Sequence, residues 1–312
     1  SIRRQRQMCI RDRFILNKFV MYTPLVTIAI PIYNAKDYLA SAIQSCINQT
    51  YLNWELLLME DGSTDGSYDI AYEFASRDKR IQVLSDGKNR GLVYRLNESI
   101  RRAKGKYYAR MDADDIMVVT RIEEEVLFLE KHFEVDVVGA SIMTIDNHNK
   151  IIGSEFTQGN VCSFIHPTIM GRIEWFKQNL YEEWALRAED FELWTRTSSM
   201  STFYAIGKPL LFYREFGVPS FRKNFLSQRT MLKIFSRYHQ YNKSFIWFVK
   251  NSLFMFVKII IYAFFAFVGQ IDYIIGKRRR KKLPAHLCLS ETNILEACLL
   301  YTSPSPRDVE ES

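Results

Sequence analysis

The sequence predicts an α/β fold, a mostly parallel central sheet flanked by helices, followed by C-terminal amphipathic helices. Three observations carry that prediction. Short β-branched or apolar runs alternate with segments of helical spacing five times over about 115 residues, which is the pattern of right-handed βαβ units. The runs are short and bounded by turn residues, as buried strands are. Several of them end in polar or acidic residues, where ligands bind in open parallel sheets.

The elements follow in order. Leu25–Ile30 is a β-branched run closed by Pro31, hence a buried strand. Leu39, Ile43 and Ile47 then share one face of a helix over 36–48. Trp54–Met59 is a second strand, running straight into Glu60–Gly66, a turn and helix start. A helix over 67–76, a strand over 81–84, a helix over 91–103 and a strand over 106–112 continue the series. Ile122, Val126 and Leu129 mark a helix over 120–132, and Val135–Gly139 a fifth strand. Beyond residue 140 the alternation stops. His166–Met170 reads as a short strand or loop, and Glu189–Arg196 as a helix with an acidic first turn, where negative charge also suits the helix end.

Composition narrows the function. The chain has 312 residues, 47% of them hydrophobic, enough for one large core with an appendage. The net charge of +7 is terminal: 277–282 (KRRRKK) carries +6 and residues 1–13 carry +4, so subtraction leaves −3 for the rest. A mildly acidic body argues against nucleic acid as a partner. Five scattered cysteines form neither a metal spacing nor a disulfide framework, which suits a reducing cytosol. Residues 1–13 and 298–308 are unlike what lies between and resemble adaptor read-through, so 1–20 and the end of the 283–312 tail are expected to be non-native, with Met21 the expected start.

Residues 245–275 are apolar but broken by Lys250, Lys258 and Asp272, and the longest uncharged run is 13 residues, against about 20 for a span. With 277–282 behind it, this stretch predicts a helix lying in an anionic membrane interface, the partner surface being 245–282. A buried core helix with a solvated tail is the other reading.

The most informative stretch is Asp112-Ala113-Asp114-Asp115, after the buried run 107–111. Three carboxylates at a strand end repel one another unless a divalent cation with oxygen ligands lies between them. The competing reading is an acidic turn with one Asp capping the next helix. Asp61 and Pro31–Asn34 sit at other strand ends, so separate strands deliver polar groups to one edge. No Gly-x-Gly-x-x-Gly or Walker loop is present, which weighs against dinucleotide and P-loop readings.

Together these motifs resemble family 2 glycosyltransferases of the GT-A fold, over about residues 24–215. The carriers are Pro31–Asn34, Asp61–Ser67 (DGSTDGS), Asn89–Leu92 with Asn97, Arg110–Asp115 and Glu189–Asp190; His166–Thr168 and Tyr213–Arg214 are weaker matches. Ala35 departs from the Glu many members carry after Tyr-Asn. The resemblance implies a GT-A domain over 21–220; the apolar helix and basic cluster above give a helical, membrane-associating segment over 221–282. It implies Mg²⁺ or Mn²⁺ on Asp114, with Asp112 facing the metal or ribose. Asp115 is expected in a supporting or helix-capping role. Asp61 is expected at the base N–H of uracil or thymine, Pro31, Tyr33 and Asn34 around the base, and Asn89 in the nucleotide site. Arg90 and Arg110 are candidates for phosphate contact. Asp190 is the implied general base, assisted by Glu189.

The expected reaction is inverting transfer from a UDP- or dTDP-sugar to a hydroxyl of a glycan or lipid-linked acceptor, in surface polysaccharide synthesis at the cytoplasmic face of the plasma membrane. The alternatives are a polyprenyl-phosphate sugar transferase and a non-catalytic membrane-tethered scaffold. Joint retention of Asp61, Asp114 and Asp190 argues against the scaffold.

Overall fold

A computed structural model describes residues 23–215, 221–242 and 245–269. The expectations for the two chain ends, for Met21 and for the basic cluster 277–282 lie outside the described residues.

Strand β1 (Val26–Ile32) pairs in parallel with β2 (Trp54–Glu60) and with β4 (Tyr107–Arg110), and β2 pairs in parallel with β3 (Ile81–Leu84). Side chains alternate across these strands. Val26, Ile28, Ile30 and Ile32 therefore enter one core layer, with Tyr107 and Ala109, while Ala29 and Tyr108 enter the other. Helix α1 (Lys36–Ile47) buries Leu39, Ala42, Ile43 and Cys46, a stripe at i, i+3, i+4 and i+7 that covers the first layer. Helix α2 (Ser67–Arg77) lies beside it. Helix α3 (Leu92–Arg102) covers the second layer through Val93, Leu96 and Ile100. Every element expected over 25–132 is present, within a few residues of its expected bounds.

The second half is mixed. Strand β5 (Ile116–Met117) and helix α4 (Arg121–Lys131) lead to β6 (Val137–Ile145), longer than the expected 135–139, which turns into β7 (Ile151–Glu155). A two-residue β8 (Gly159–Asn160) and a 3₁₀ turn (His166–Thr168) precede β9 (Met170–Arg172), helix α5 (Ile173–Gln178), helix α6 (Glu189–Thr197) and β10 (Phe203–Arg214). The strand order is β3-β2-β1-β4-β9-β6-β10-β5. The fifth strand does not join β4. The three-residue β9 lies between them, antiparallel to both. It is a strand without a β-branched run: Gly171 packs where a Cβ would meet Asp136 O at 2.8 Å.

Helices α7 (Phe221–Asn242) and α8 (Phe245–Phe267) pack on each other, and α7 also packs on α6. No helix among the described residues is long and apolar enough to cross a membrane.

Candidate active site

The site forms at the carboxyl ends of β1, β2 and β4. After β1 the chain turns at Asn34, whose φ of 50° is left-handed. Asn tolerates that region better than most residues. The segment after β2 holds the turn in place. Asn34 Oδ1 accepts the Thr64 N–H at 2.9 Å, and the Asn34 N–H donates to Ser63 Oγ at 3.1 Å. Ser67 Oγ and Asp65 Oδ2 accept the next two backbone N–H groups, of Ala35 and Lys36, both at 2.9 Å. Most of the DGSTDGS run thus fixes a neighbouring loop, leaving Asp61 as its member on the cleft.

Asp61 accepts three hydrogen bonds: from the Arg90 N–H at 2.7 Å, the Gly91 N–H at 2.9 Å and Arg95 Nε at 2.9 Å. A carboxylate offers about four acceptor positions, so one remains for a ligand donor. Gly62, at φ 71°, makes this close approach possible, since a Cβ there would lie 2.8 Å from Asn89 N and 2.9 Å from Lys88 C. Gly62→Ala is therefore expected to destabilise the fold by about 1–3 kcal/mol through backbone strain and overpacking. Urea unfolding checks this; a loss under about 0.5 kcal/mol would mean that the 86–91 loop yields freely.

Ligand-type oxygens of Asp112, Asp114 and Asp115 lie within 4.8 Å of one another. Each carboxylate has a different environment. Asp112 is half-buried and receives both terminal nitrogens of Arg110, at 2.5 and 3.2 Å. Burial and then the charge of Asp112 push Asp114 up to about 6. Asp115 is fully buried and held well above its ordinary value by burial and then by the charges of Asp112 and Asp114. Its Oδ1 accepts the Arg214 N–H at 2.8 Å, and its Oδ2 has no partner. Asp115 caps no helix: Thr120 is the residue before α4.

Glu189 and Asp190 open α6. Burial raises both above the usual carboxylate range, aided at Glu189 by the charge of Asp190. Asp190 Oδ1 accepts the Phe191 N–H at 2.8 Å. The Arg110 guanidinium acts favourably on Asp114, Asp115, Glu189 and Asp190, and the Asp112 charge disfavours ionised Asp190. The acidic cluster and the start of α6 therefore belong to one electrostatic site.

A cleft of about 540 Å³ is lined by Pro31, Tyr33, Asn34, Asp61, Asn89, Asp112 and Asp114, seven of the residues expected from sequence. Arg90 and Arg110 do not line it. Arg90 lines an adjoining groove, its Nε donates to Asp86 at 2.7 Å, and its backbone N–H reaches the cleft through Asp61. Arg110 is 2% exposed and lies behind Asp112. Both guanidiniums thus stand beside the cleft, each held by a neighbouring carboxylate. Glu189 and Asp190 also stand outside the cleft lining.

Arg95 and Arg121 were not anticipated, and Arg214 was marked only as a weak match, without a role. Arg95, 1% exposed, binds Asp61, Asp86, Glu98 and the Lys88 carbonyl. Arg121 donates to the Arg110 carbonyl at 3.1 Å and to Glu125. Arg214 donates to the carbonyls of Asp114 and Asp146 and to Asn149, over the Tyr38 ring. Arg95 shares its side of α3 with Glu98, Ser99 and Arg102, so spacing gave no signal for it; at Arg214 the family match marked the residue but not its role as an anchor of the acidic loop.

The donor set fits a hard divalent cation. All three groups are carboxylates, they crowd in a desolvated corner, and Asp115 Oδ2 is an orphaned buried oxygen.

The family model described as "Glycosyl transferase family 2" matches residues 27–197. A glycosyltransferase of Haemophilus influenzae (strain ATCC 51907 / DSM 11121 / KW20 / Rd), itself uncharacterized, is 32% identical over 62% of this chain. A Bacillus subtilis (strain 168) protein provisionally named teichuronic acid biosynthesis glycosyltransferase TuaG is 33% identical over 40% of it. The chain spans 66% of the length of the first relative and 50% of the second. Among solved structures, S. aureus TarS 1-349 in complex with UDP-GlcNAc superimposes with a TM-score of 0.59 at 16% identity, over 88% of this chain and 79% of that one. The mannosyltransferase PcManGT from Pyrobaculum calidifontis, in complex with GDP-Man and Mn²⁺, gives 0.55 at 17%, over 89% and 81%. At these identities the structural likeness concerns the fold.

Proposed function

The chain belongs to glycosyl transferase family 2, and from that premise we propose that it transfers a sugar, with inversion, from a UDP- or dTDP-sugar to a hydroxyl of a glycan or lipid-linked acceptor in surface polysaccharide synthesis. The architecture is that of GT-A glycosyltransferases. The observation that carries the reading is the cleft itself, where Asp61 retains one free acceptor position and Asp112 and Asp114 face the same space.

The base of the donor sits against Pro31, Tyr33 and Asn34, with its ring N–H donating to Asp61. Asp61 suits uracil or thymine because both carry such an N–H. Asn89 closes the side of that pocket. Asp114, with Asp112, would hold Mg²⁺ or Mn²⁺, which when bound offsets the negative charge of the departing diphosphate. Arg110 positions Asp112. At the other side Asp190 accepts the proton of the attacking hydroxyl, and Glu189 orients the acceptor. Its raised affinity for protons brings Asp190 nearer the operating pH, where a general base works best. Attack opposite the leaving group inverts the anomeric centre. The relative named for teichuronic acid biosynthesis supports the polysaccharide setting. The PcManGT complex supports the metal. The exposed apolar helix α8, with the basic run 277–282, supports placement on an anionic membrane face.

A thermal-shift screen of UDP-, dTDP- and GDP-sugars, with and without Mn²⁺, tests the reading. UDP- or dTDP-sugars with Mn²⁺ should raise Tm; no rise with any of them would overturn it. The same cluster sets a pH dependence. Asp114 is raised from 3.8 to about 6, so the metal-free fold holds its proton more tightly than the unfolded chain. That contribution is complete below about pH 4 and is lost as pH rises through about 6. Metal-free protein is thus expected to lose Tm between pH 4.5 and 7. Mn²⁺ should restore more at pH 7.5 than at pH 5, and Asp114→Asn should flatten both responses.

A further inference from the structure

The two C-terminal helices touch very different surroundings. The inner side of α7 closes over the segment leading to Glu189 and Asp190. Ile234 and Tyr238 cluster with Ala188, flanked by Trp184 and Phe191. Thr230 Oγ1 donates to the Leu186 carbonyl at 3.0 Å and Ser227 Oγ to the Arg187 carbonyl at 3.2 Å. Tyr238 OH donates to Glu192 Oε1, one turn into α6. Arg187 sits at φ 62°, a conformation that a non-glycine residue keeps only where its surroundings hold it. Here α7 does the holding.

Among its described side chains, helix α8 buries Met255 and Tyr262, half-buries Ile259 and Phe265, and exposes a long apolar surface. Val249, Leu253, Phe254, Val257, Ile260 and Phe264 are 44–61% exposed. At about 100° per residue they fall within one half of the helix circumference. Residues 245–267 contain no Asp or Glu, and Lys250 lies exposed among the apolar side chains. A continuous apolar stripe of this size needs a partner. Its cationic character, continued by 277–282 in the sequence, fits an anionic lipid interface, where lysine stems lie along the acyl boundary and the ammonium groups reach the headgroups. A second copy of the same stripe would bring lysines against lysines.

We propose that anionic lipid is an activating ligand of this protein: α8 docks in the bilayer interface, and α7, packed between α8 and the 184–190 segment, passes that docking through Ser227 and Thr230 to the backbone that places Glu189 and Asp190. The consequence for turnover rests on the base role given to Asp190 above; the coupling itself does not. Surface docking thereby fixes the acceptor-side groups where a lipid-linked acceptor would arrive.

The test uses the full chain with vesicles of phosphatidylcholine alone or mixed with phosphatidylglycerol. It reads co-sedimentation, hydrogen exchange of the 184–190 amides, and sugar-nucleotide turnover. Phosphatidylglycerol vesicles should bind the protein, slow exchange in 184–190 about tenfold and raise turnover about fivefold or more. Phe254→Glu with Val257→Glu, both at exposed positions, should abolish all three effects. Ser227→Ala with Thr230→Val should keep vesicle binding and lose the slowed exchange and the activation. Bound vesicles that leave exchange at 184–190 unchanged would overturn the coupling, as would full slowing in the Ser227/Thr230 double variant. Concentration-dependent self-association in place of vesicle binding would overturn the lipid assignment. Intact coupling alongside an active Asp190→Asn would instead remove the base role and leave the proposal standing.

Discussion

Asp190→Asn is expected to lower kcat by about 10²- to 10⁴-fold, the range general-base catalysis contributes. The substitution is a narrow one. The amide oxygen can still accept the Phe191 N–H that Asp190 Oδ1 accepts now, so the start of α6 keeps its geometry. Asp190 does not line the nucleotide cleft, so donor affinity should stay within about twofold. What disappears is the proton acceptor. Steady-state kinetics over a range of acceptor concentrations measures this, with donor binding followed separately. A kcat within about tenfold of the parent would place the base elsewhere, and Glu189→Gln would be the variant to compare.

Arg95→Ala is expected to cost about 3–5 kcal/mol of stability, the usual result of removing one member of a buried ion pair. Arg95 and Asp61 have side chains only 1% and 7% exposed. Without the guanidinium, Asp61 keeps its two backbone N–H donors and loses its countercharge. The contacts to Asp86 and Glu98 are partly exposed on the acidic side and add less. The loss of Arg95 also frees the Lys88 carbonyl, so the 88–91 loop should shift and donor binding should fall with stability. Arg95→Lys should recover only part, because one ammonium cannot reproduce a fork that spans several acceptors. Urea unfolding gives the number, and a loss below about 1 kcal/mol would mean that water already solvates Asp61.

The sequence made the first half of the sheet legible because its strands are largely buried and mostly apolar, with helical spacing between them. Asp112, Asp114 and Asp61 were legible because acidic residues at strand ends are costly without a ligand. The second half was not. β9 shows as Met-Gly-Arg because its packing demands a glycine and its length demands no hydrophobic run. β10 is interrupted at Gly207 and Pro209, where its register with β6 shifts. The buried arginines escaped for another reason: Arg95 meets Asp61 across 34 residues and Arg214 meets Asp114 across 100, and no local spacing encodes such pairs. The fork from Arg110 to Asp112 was hidden in the same way, because the turn after β4 creates it.

The position of β10 has a consequence for the order in which the molecule is built. β10 lies between β6 and β5 and brings Arg214, which anchors both Asp114 and Asp115. A chain emerging from the ribosome completes the four parallel strands and the Asp61 pocket by residue 110, yet needs about a hundred more residues before the acidic loop is sealed. During that interval the three carboxylates remain in water, where their mutual repulsion is weak. The desolvated acidic corner is thus the part of the sheet completed last, by its most distant strand, and a nascent chain is spared its electrostatic strain until the rest of the sheet can bear it.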